Sequence, residues 1–368
     1  MHGIGHFLVQ NPVFTIALVA ALLTACIVPP DGEYLSYFDF KTLSCLFSVL
    51  AVVCALKTVN FFTIIARSIV KRFTTTRTCF LALLYITFIG SMFIANDMAL
   101  ITFLPLGWMI LDLTGQEKYT AFLFILQNIS ANLGGMLTPF GNPQNLYLYT
   151  YFNIPTGEFM SIMLIPFAVS VLLLTVCCFF VRSEKLTLER MEMPATDPKK
   201  RNIYLILFVL SVVIVFRIIP YWLGLAVIVL VLLYLCPEAL KKVDFPLLFT
   251  FAAFFVFSGN MSRIPAVRAL FSMLLEKNTL LFSILSCQVI SNVPSAILLS
   301  QFTSDYASLL HGVNIGGTGT LIASLASLIT FREFRKHRPG QTKRYLLLFT
   351  AFNLLFLGVL TAVSLLTN

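Results

Sequence analysis

The sequence predicts an all-α polytopic membrane protein built from two inverted repeats, each holding a re-entrant hairpin and a discontinuous helix. Three observations carry this prediction. The 368 residues are 58% hydrophobic and only 11% charged, with a mean hydropathy of +0.91, whereas a soluble globular chain carries about 25% charged residues. Apolar runs of about 20 residues recur, without the period-two alternation of a membrane barrel. Two polar interruptions also appear in the same order in each half. Ala95-Asn96-Asp97-Met98-Ala99 precedes ANLGGMLTPFGNPQN (131–145), and Ser291-Asn292-Val293-Pro294-Ser295 precedes VNIGGTGTLIASLAS (313–327). Aligned without gaps, Asn132 meets Asn314, Gly134-Gly135 meets Gly316-Gly317, and Thr138 meets Thr320.

Taken in order, residues 13–29 form the first span. Pro29-Pro30-Asp31 follow it where a cleaved signal would show small residues, so it reads as a span. After an acidic loop, residues 42–56 cross back. Residues 59–73 mix apolar positions with Arg67, Lys71 and Arg72, the pattern of an amphipathic helix on the inner membrane surface. Residues 78–113 are too long for one span and break at Asn96-Asp97, giving two half-helices of a re-entrant hairpin. Backbone that leaves the helix at this depth survives only when buried in protein or lining a wet cavity. Residues 119–152 form a broken helix and 159–181 an ordinary span. The charged stretch 182–201, with Pro194 and Pro198, is a linker.

The second half opens with spans 202–219 and 222–236 and a loop holding Lys241-Lys242. Span 245–259, interrupted segment 278–302, broken helix 306–331, basic loop 332–344 and span 345–366 complete it.

Charge tests the topology. With the N-terminus cytoplasmic and each hairpin returning to its side of origin, 20 of the 25 Lys and Arg fall inside, as the positive-inside rule requires. That rule also accounts for the net charge of +9 without a nucleic-acid partner. The expected organisation is a scaffold span within 1–41, a first repeat at 42–181, a cytoplasmic linker at 182–201, scaffold spans at 202–244 and a second repeat at 245–368. Each repeat holds an odd number of crossings, so the two start on opposite sides. Such inverted repeats with broken helices point to a secondary transporter with its site near the midplane. The expected location is the plasma (inner) membrane, in contact with lipid. No HExxH or other catalytic grouping lies in the spans, so no enzyme activity and no cofactor are expected.

A half-helix ending in mid-membrane leaves its terminal groups unpaired. N-terminal ends attract anions; carbonyls and C-terminal ends attract cations. Asp97 is the only carboxylate placed deep in the membrane, where it either serves a coupling ion, sodium or a proton, or caps the helix that follows. The asparagines at the breaks have the same alternative of capping. Arg217 is expected to snorkel to the outer interface. His311 reads as a loop residue, and the eight cysteines read as small packing residues.

The stretches NDMALITFLPL, ANLGGMLTPFGNPQNLYLY, SNVPSAILLS and NIGGTGTLIAS resemble the signatures of the ion transporter superfamily. That group holds citrate and dicarboxylate transporters, arsenite permeases and NhaD-type sodium/proton antiporters. The resemblance implies a homodimer whose protomers each carry a scaffold domain and a transport domain moving as an elevator. In the sodium/dicarboxylate branch each hairpin tip reads Ser-Asn-Thr, with the Asn and Thr touching substrate carboxylates. Here the tips read Ala95-Asn96-Asp97, closer to the arsenite permeases, and Ser291-Asn292-Val293. A small anion, citrate or a dicarboxylate, is therefore expected at Asn96, Thr138, Asn142, Ser291, Asn292, Thr318 and Thr320. The coupling ion is expected at Asn96, Asp97, Asn132, Gly134, Gly141, Asn292, Asn314 and Gly316, with sodium near Asp97 and Asn292. Arsenite or antimonite efflux and sodium/proton exchange are the alternatives.

Overall fold

The computed structural model describes residue 7, residues 11–185 and residues 194–367. Among these, the regular structure is helical apart from one isolated bridge between Thr75 and Lys185. Eight helical stretches among the described residues are long and apolar enough to cross a membrane, so the chain is a multi-pass membrane protein.

Helix α1 (Pro12–Ile27) starts on a proline, which suits a first turn. Helix α2 (Phe40–Thr58) is capped by Asp39, whose carboxylate accepts the Thr42 N–H at 2.9 Å. Helix α3 (Phe61–Val70) is the short amphipathic element. Helices α4 (Thr76–Phe93) and α5 (Asn96–Leu113) are the arms of the first hairpin, parted by extended backbone at Ile94. Each arm has 18 residues, or about 27 Å. The first broken helix consists of α6 (Thr120–Gly134) and α7 (Pro143–Tyr151), and α8 (Thr156–Cys178) follows. Of the expected linker, residues 186–193 lie outside the described residues. Its end enters α9 (Pro198–Val215), capped by Asp197.

Next come α10 (Tyr221–Leu235), the short α11 (Pro237–Lys241) and α12 (Phe245–Arg263). Helix α13 (Pro265–Ile290) bends at Asn278, where ψ is 95°. Residues 279–290 and the 8-residue α14 (Asn292–Leu299) make the second hairpin. Neither arm is long enough to cross about 30 Å of hydrocarbon. The second broken helix is α15 (Tyr306–Ile315) with α16 (Leu325–His337), and α17 (Thr342–Thr367) is the last.

The same order thus occurs twice: span, surface helix, two-armed hairpin, two-piece helix, span. The second occurrence of the surface helix is residues 265–277, to which the sequence reading gave no element. It is mostly exposed, and Arg268, Glu276 and Lys277 interrupt its apolar run. Packing between the halves is crossed. The second piece of each broken helix lies against the hairpin of the other half, α7 on α14 and α16 on α5.

Three further expectations change. The basic loop expected at 332–344 is largely helical, because α16 runs to His337 and α17 starts at Thr342. Arg, Lys and Glu end an apolar run there but are good helix formers. His311 is not in a loop; it is buried on α15, with Nε2 2.7 Å from the Ile162 carbonyl. Arg217 does not simply snorkel. Held at a left-handed φ of 63°, it donates to the carbonyls of Ile154, at 3.2 Å, and Tyr149, and stacks 4.0 Å over the Tyr149 ring. It therefore caps the carbonyl end of α7. The cysteines are all free, and most are buried among packed helices.

Candidate substrate and ion site at the hairpin tips

At each hairpin tip an asparagine folds back on its own backbone. Asn96 Oδ1 accepts the Asp97 N–H at 3.0 Å, and Asn292 Oδ1 accepts the Val293 N–H at 2.9 Å. The first tip then reaches the first break, because Asn96 Nδ2 donates to Asn132 Oδ1 at 3.0 Å. The second tip reaches the second break through its backbone, where Asn292 N–H donates to the Ala323 carbonyl at 2.9 Å. Ser291 Oγ donates to the same carbonyl at 3.3 Å.

The two breaks are joined by reciprocal bonds. Asn142, which precedes α7, donates from Nδ2 to Asn314 Oδ1 at 3.4 Å and to the Asn132 carbonyl at 3.1 Å. Ser324, which precedes α16, donates from Oγ to Asn132 Oδ1 at 2.8 Å. In the gapless alignment Ser324 stands opposite Asn142, as Asn132 stands opposite Asn314. Each helix-starting residue therefore reaches the central asparagine of the other half. Asn314 is also tied to Asn145 Oδ1 at 2.6 Å and to Gln144 Nε2 at 3.4 Å. Asn96, Asn132, Asn142, Asn292 and Asn314 are all at most 4% exposed.

Capping accounts for only part of this: Ser324 Oγ also accepts the Ala326 N–H at 3.2 Å and so caps α16. Asn142 makes no side-chain cap to α7, and its Oδ1 is buried without a hydrogen-bond partner among the described residues. Asp97 Oδ1, Asn132 Nδ2 and Gln144 Oε1 are in the same condition. Buried polar groups are usually paired; three of these atoms, on Asn132, Asn142 and Gln144, belong to side chains at the junction of the breaks, and the fourth lies beside Asn96 at the first tip.

The glycines let backbone into this junction. A Cβ on Gly134 would lie 2.1 Å from the Phe88 carbonyl oxygen, and one on Gly141 would lie 2.4 Å from that of Gly135. A Cβ on Gly316 would lie 2.6 Å from the Gly312 carbonyl oxygen and 2.9 Å from the Cys287 side chain. Not every expected residue joins the site. Thr138 turns to the Met92 carbonyl at 2.8 Å and holds the break against α4. Thr318 is buried, bonding the Ile315 carbonyl at 2.6 Å. Thr320 is exposed and bonds Gln288 instead.

Gln288 was missed in the sequence. Its Nε2 donates to the carbonyls of Gly316 at 2.9 Å and Thr318 at 3.3 Å, and its Oε1 accepts the Thr320 N–H at 2.9 Å. One amide braces the whole second break, passing so close to Gly319 (φ 119°) that a Cβ there would lie 2.2 Å from Oε1. A lone glutamine in the apolar run before the tip was the available signal. Ser324 and Gln144 were also missed. The alignment that pairs the breaks already marked Ser324 as the mate of Asn142.

The sequence is similar to those of known proteins. A family model described as Citrate transporter matches residues 9–311. The chain belongs to the citrate transporter family. It is similar to an uncharacterized transporter of Methanocaldococcus jannaschii, with 32% identity over 86% of this chain and 87% of that protein. It is also similar to the inner membrane protein YbiR of Escherichia coli strain K12, with 29% identity over 82% of this chain and 81% of that protein. As a citrate transporter family member the chain is a membrane transporter, which fits amides and broken helices buried among spans.

Proposed function

We propose that this transporter carries out secondary active transport of a small anion, citrate or a dicarboxylate-like acid, coupled to sodium or protons. The observation that carries the proposal is the reciprocal bonding of the two breaks, Asn142 to Asn314 and Ser324 to Asn132, at a junction with three unpartnered polar atoms and a fourth at the first tip. On this reading 42–181 and 245–368 are inverted repeats whose hairpins and broken helices form a transport domain. Residues 1–41 and 202–244 form the scaffold, the N-terminus is cytoplasmic, the membrane is the inner one, and the protein is a homodimer working as an elevator. The half-helices that start at Asn96, Pro143 and Asn292 bring their positive dipole ends to the anion. Asn132 Nδ2 adds a donor, while the oxygens of Asp97, Asn142 and Gln144 suit a cation beside it.

Uptake of labelled citrate and dicarboxylates into proteoliposomes, under imposed sodium or proton gradients, tests this directly. Gradient-driven accumulation is the expected result. A second reading, arsenite or antimonite efflux or sodium/proton exchange, draws on Asp97, a carboxylate oxygen buried at a hairpin tip with no partner among the described residues. If sodium drives proton movement and no carboxylate accumulates, that reading replaces the first.

A further inference from the structure

Beside the first hairpin runs a crevice of about 420 Å³ between the end of α2, α3 and one face of α5. Its polar lining is Lys57, Asn60, Thr63, Arg67 and Thr102, and no carboxylate borders it among the described residues. Lys57 marks one end, with Nζ 3.4 Å from Met98 Sδ, one residue past Asp97 at the tip. Arg67 marks the other, its guanidinium 3.9 Å from Met109 Sδ. Eleven residues of α5 separate those methionines, or about 16 Å of helix. Lys57 has the Met98 thioether, a weak acceptor, as its hydrogen-bond partner and forms no ion pair among the described residues.

We propose that this crevice is an anion-gathering vestibule, in which Lys57 draws a small carboxylate along α5 to the first hairpin tip. The inference rests on the anion-transport reading and adds to it a residue and a route. A cleft of one sign with low-dielectric walls concentrates counter-ions, and a half-buried ammonium beside a thioether keeps its field for an incoming anion. Lys57 is a positioning residue: it acts on arrival and stays outside the asparagine junction.

The test uses the full chain with Thr102→Cys as a reporter on the crevice wall, since the Thr102 hydroxyl bonds only the Met98 carbonyl of its own helix. Its modification by an anionic and a cationic methanethiosulfonate of equal size is followed at that peptide by mass spectrometry. Relative to a free thiol, the anionic reagent should be favoured on the order of tenfold. Lys57→Gln should remove most of that preference and Lys57→Arg should retain it. An unchanged ratio in Lys57→Gln overturns the vestibule, whatever the substrate. The same labelling is repeated with citrate present. Slowing by citrate supports both vestibule and carboxylate substrate, whereas a Lys57-dependent ratio that citrate never slows keeps the vestibule and overturns the carboxylate. In uptake assays Lys57→Gln should raise KM several-fold with kcat nearly unchanged; an equal fall in kcat overturns the arrival role.

Discussion

The two halves of the site follow one plan but are finished differently. In the second half the break is braced: Asn314 uses both ends of its amide, and Gln288 ties down the break with three bonds. In the first half the plan is left open. The buried polar atoms without partners at the tips and breaks, those of Asp97, Asn132, Asn142 and Gln144, all belong to it. The tips differ in the same sense. Asn96 holds the first by a side-chain amide beside an acid, while the second is held by backbone beside Val293. On the transport reading proposed above, the braced half holds the site in place and the open half meets the ligand.

That contrast can be broken by substitution, starting where the effect should be largest. Asp97→Asn is expected to reduce coupled transport to background while size-exclusion behaviour and thermal unfolding stay near wild type. Unchanged transport with lowered stability would make Asp97 a structural cap. Next, Asn132→Ala removes the acceptor shared by Asn96 and Ser324, leaving two buried donors; each such loss costs about 1–3 kcal/mol. Denaturant unfolding in detergent measures it, and Gln288→Ala should cost a similar amount while leaving hydrogen exchange at the first tip unchanged. Gly134→Ala pushes a methyl into the Phe88 carbonyl and should destabilise by about 1–3 kcal/mol. Asn96→Ala should speed amide exchange at its own tip more than Asn292→Ala does at the second, since only at the first tip does the asparagine side chain bond the break. Equal effects would erase the asymmetry.

The smallest expected effect lies outside the membrane. The Arg263 guanidinium, 2.6 Å from Asp31, holds that carboxyl below its ordinary range. A carboxylate with a lowered folded-state pKa stabilises above its unfolded value of about 3.9, and the benefit is lost as pH falls through the folded value. Asp31→Asn should therefore flatten the acid limb of the stability curve slightly, and that limb is read by thermal unfolding below pH 4 or so.

Much of this was legible in the sequence because lipid punishes exposed backbone. Asn96, Asn132, Asn142, Asn292 and Asn314 stood out against apolar runs; hydrogen bonds link Asn96, Asn132, Asn142 and Asn314, while Asn292 is tied to Ala323. Residues 265–277 and the end of α16 were harder, because charged residues such as Arg268, Glu276 and Lys277 break up the apolar run without breaking the helix. Gln288 and Ser324 act through partners about 30 and 190 residues away, so a lone polar residue or an alignment mate could flag them but not say what they bond. Thr318 and Thr320 matched a motif by position, yet their hydroxyls turn to nearby backbone carbonyls.

The Ser324–Asn132 bond also bears on how the protein is made. Its partners lie 192 residues apart, and at about 5–20 residues per second the ribosome needs roughly 10–40 s to cover that distance. For that interval the asparagine of the early segment sits in or near the bilayer with its later partner unsynthesised. Until then Asn132 Oδ1 has the Asn96 amide of its own half as its partner, and a chain cut short before Ser324 would lack the bond that ties this asparagine to the other half.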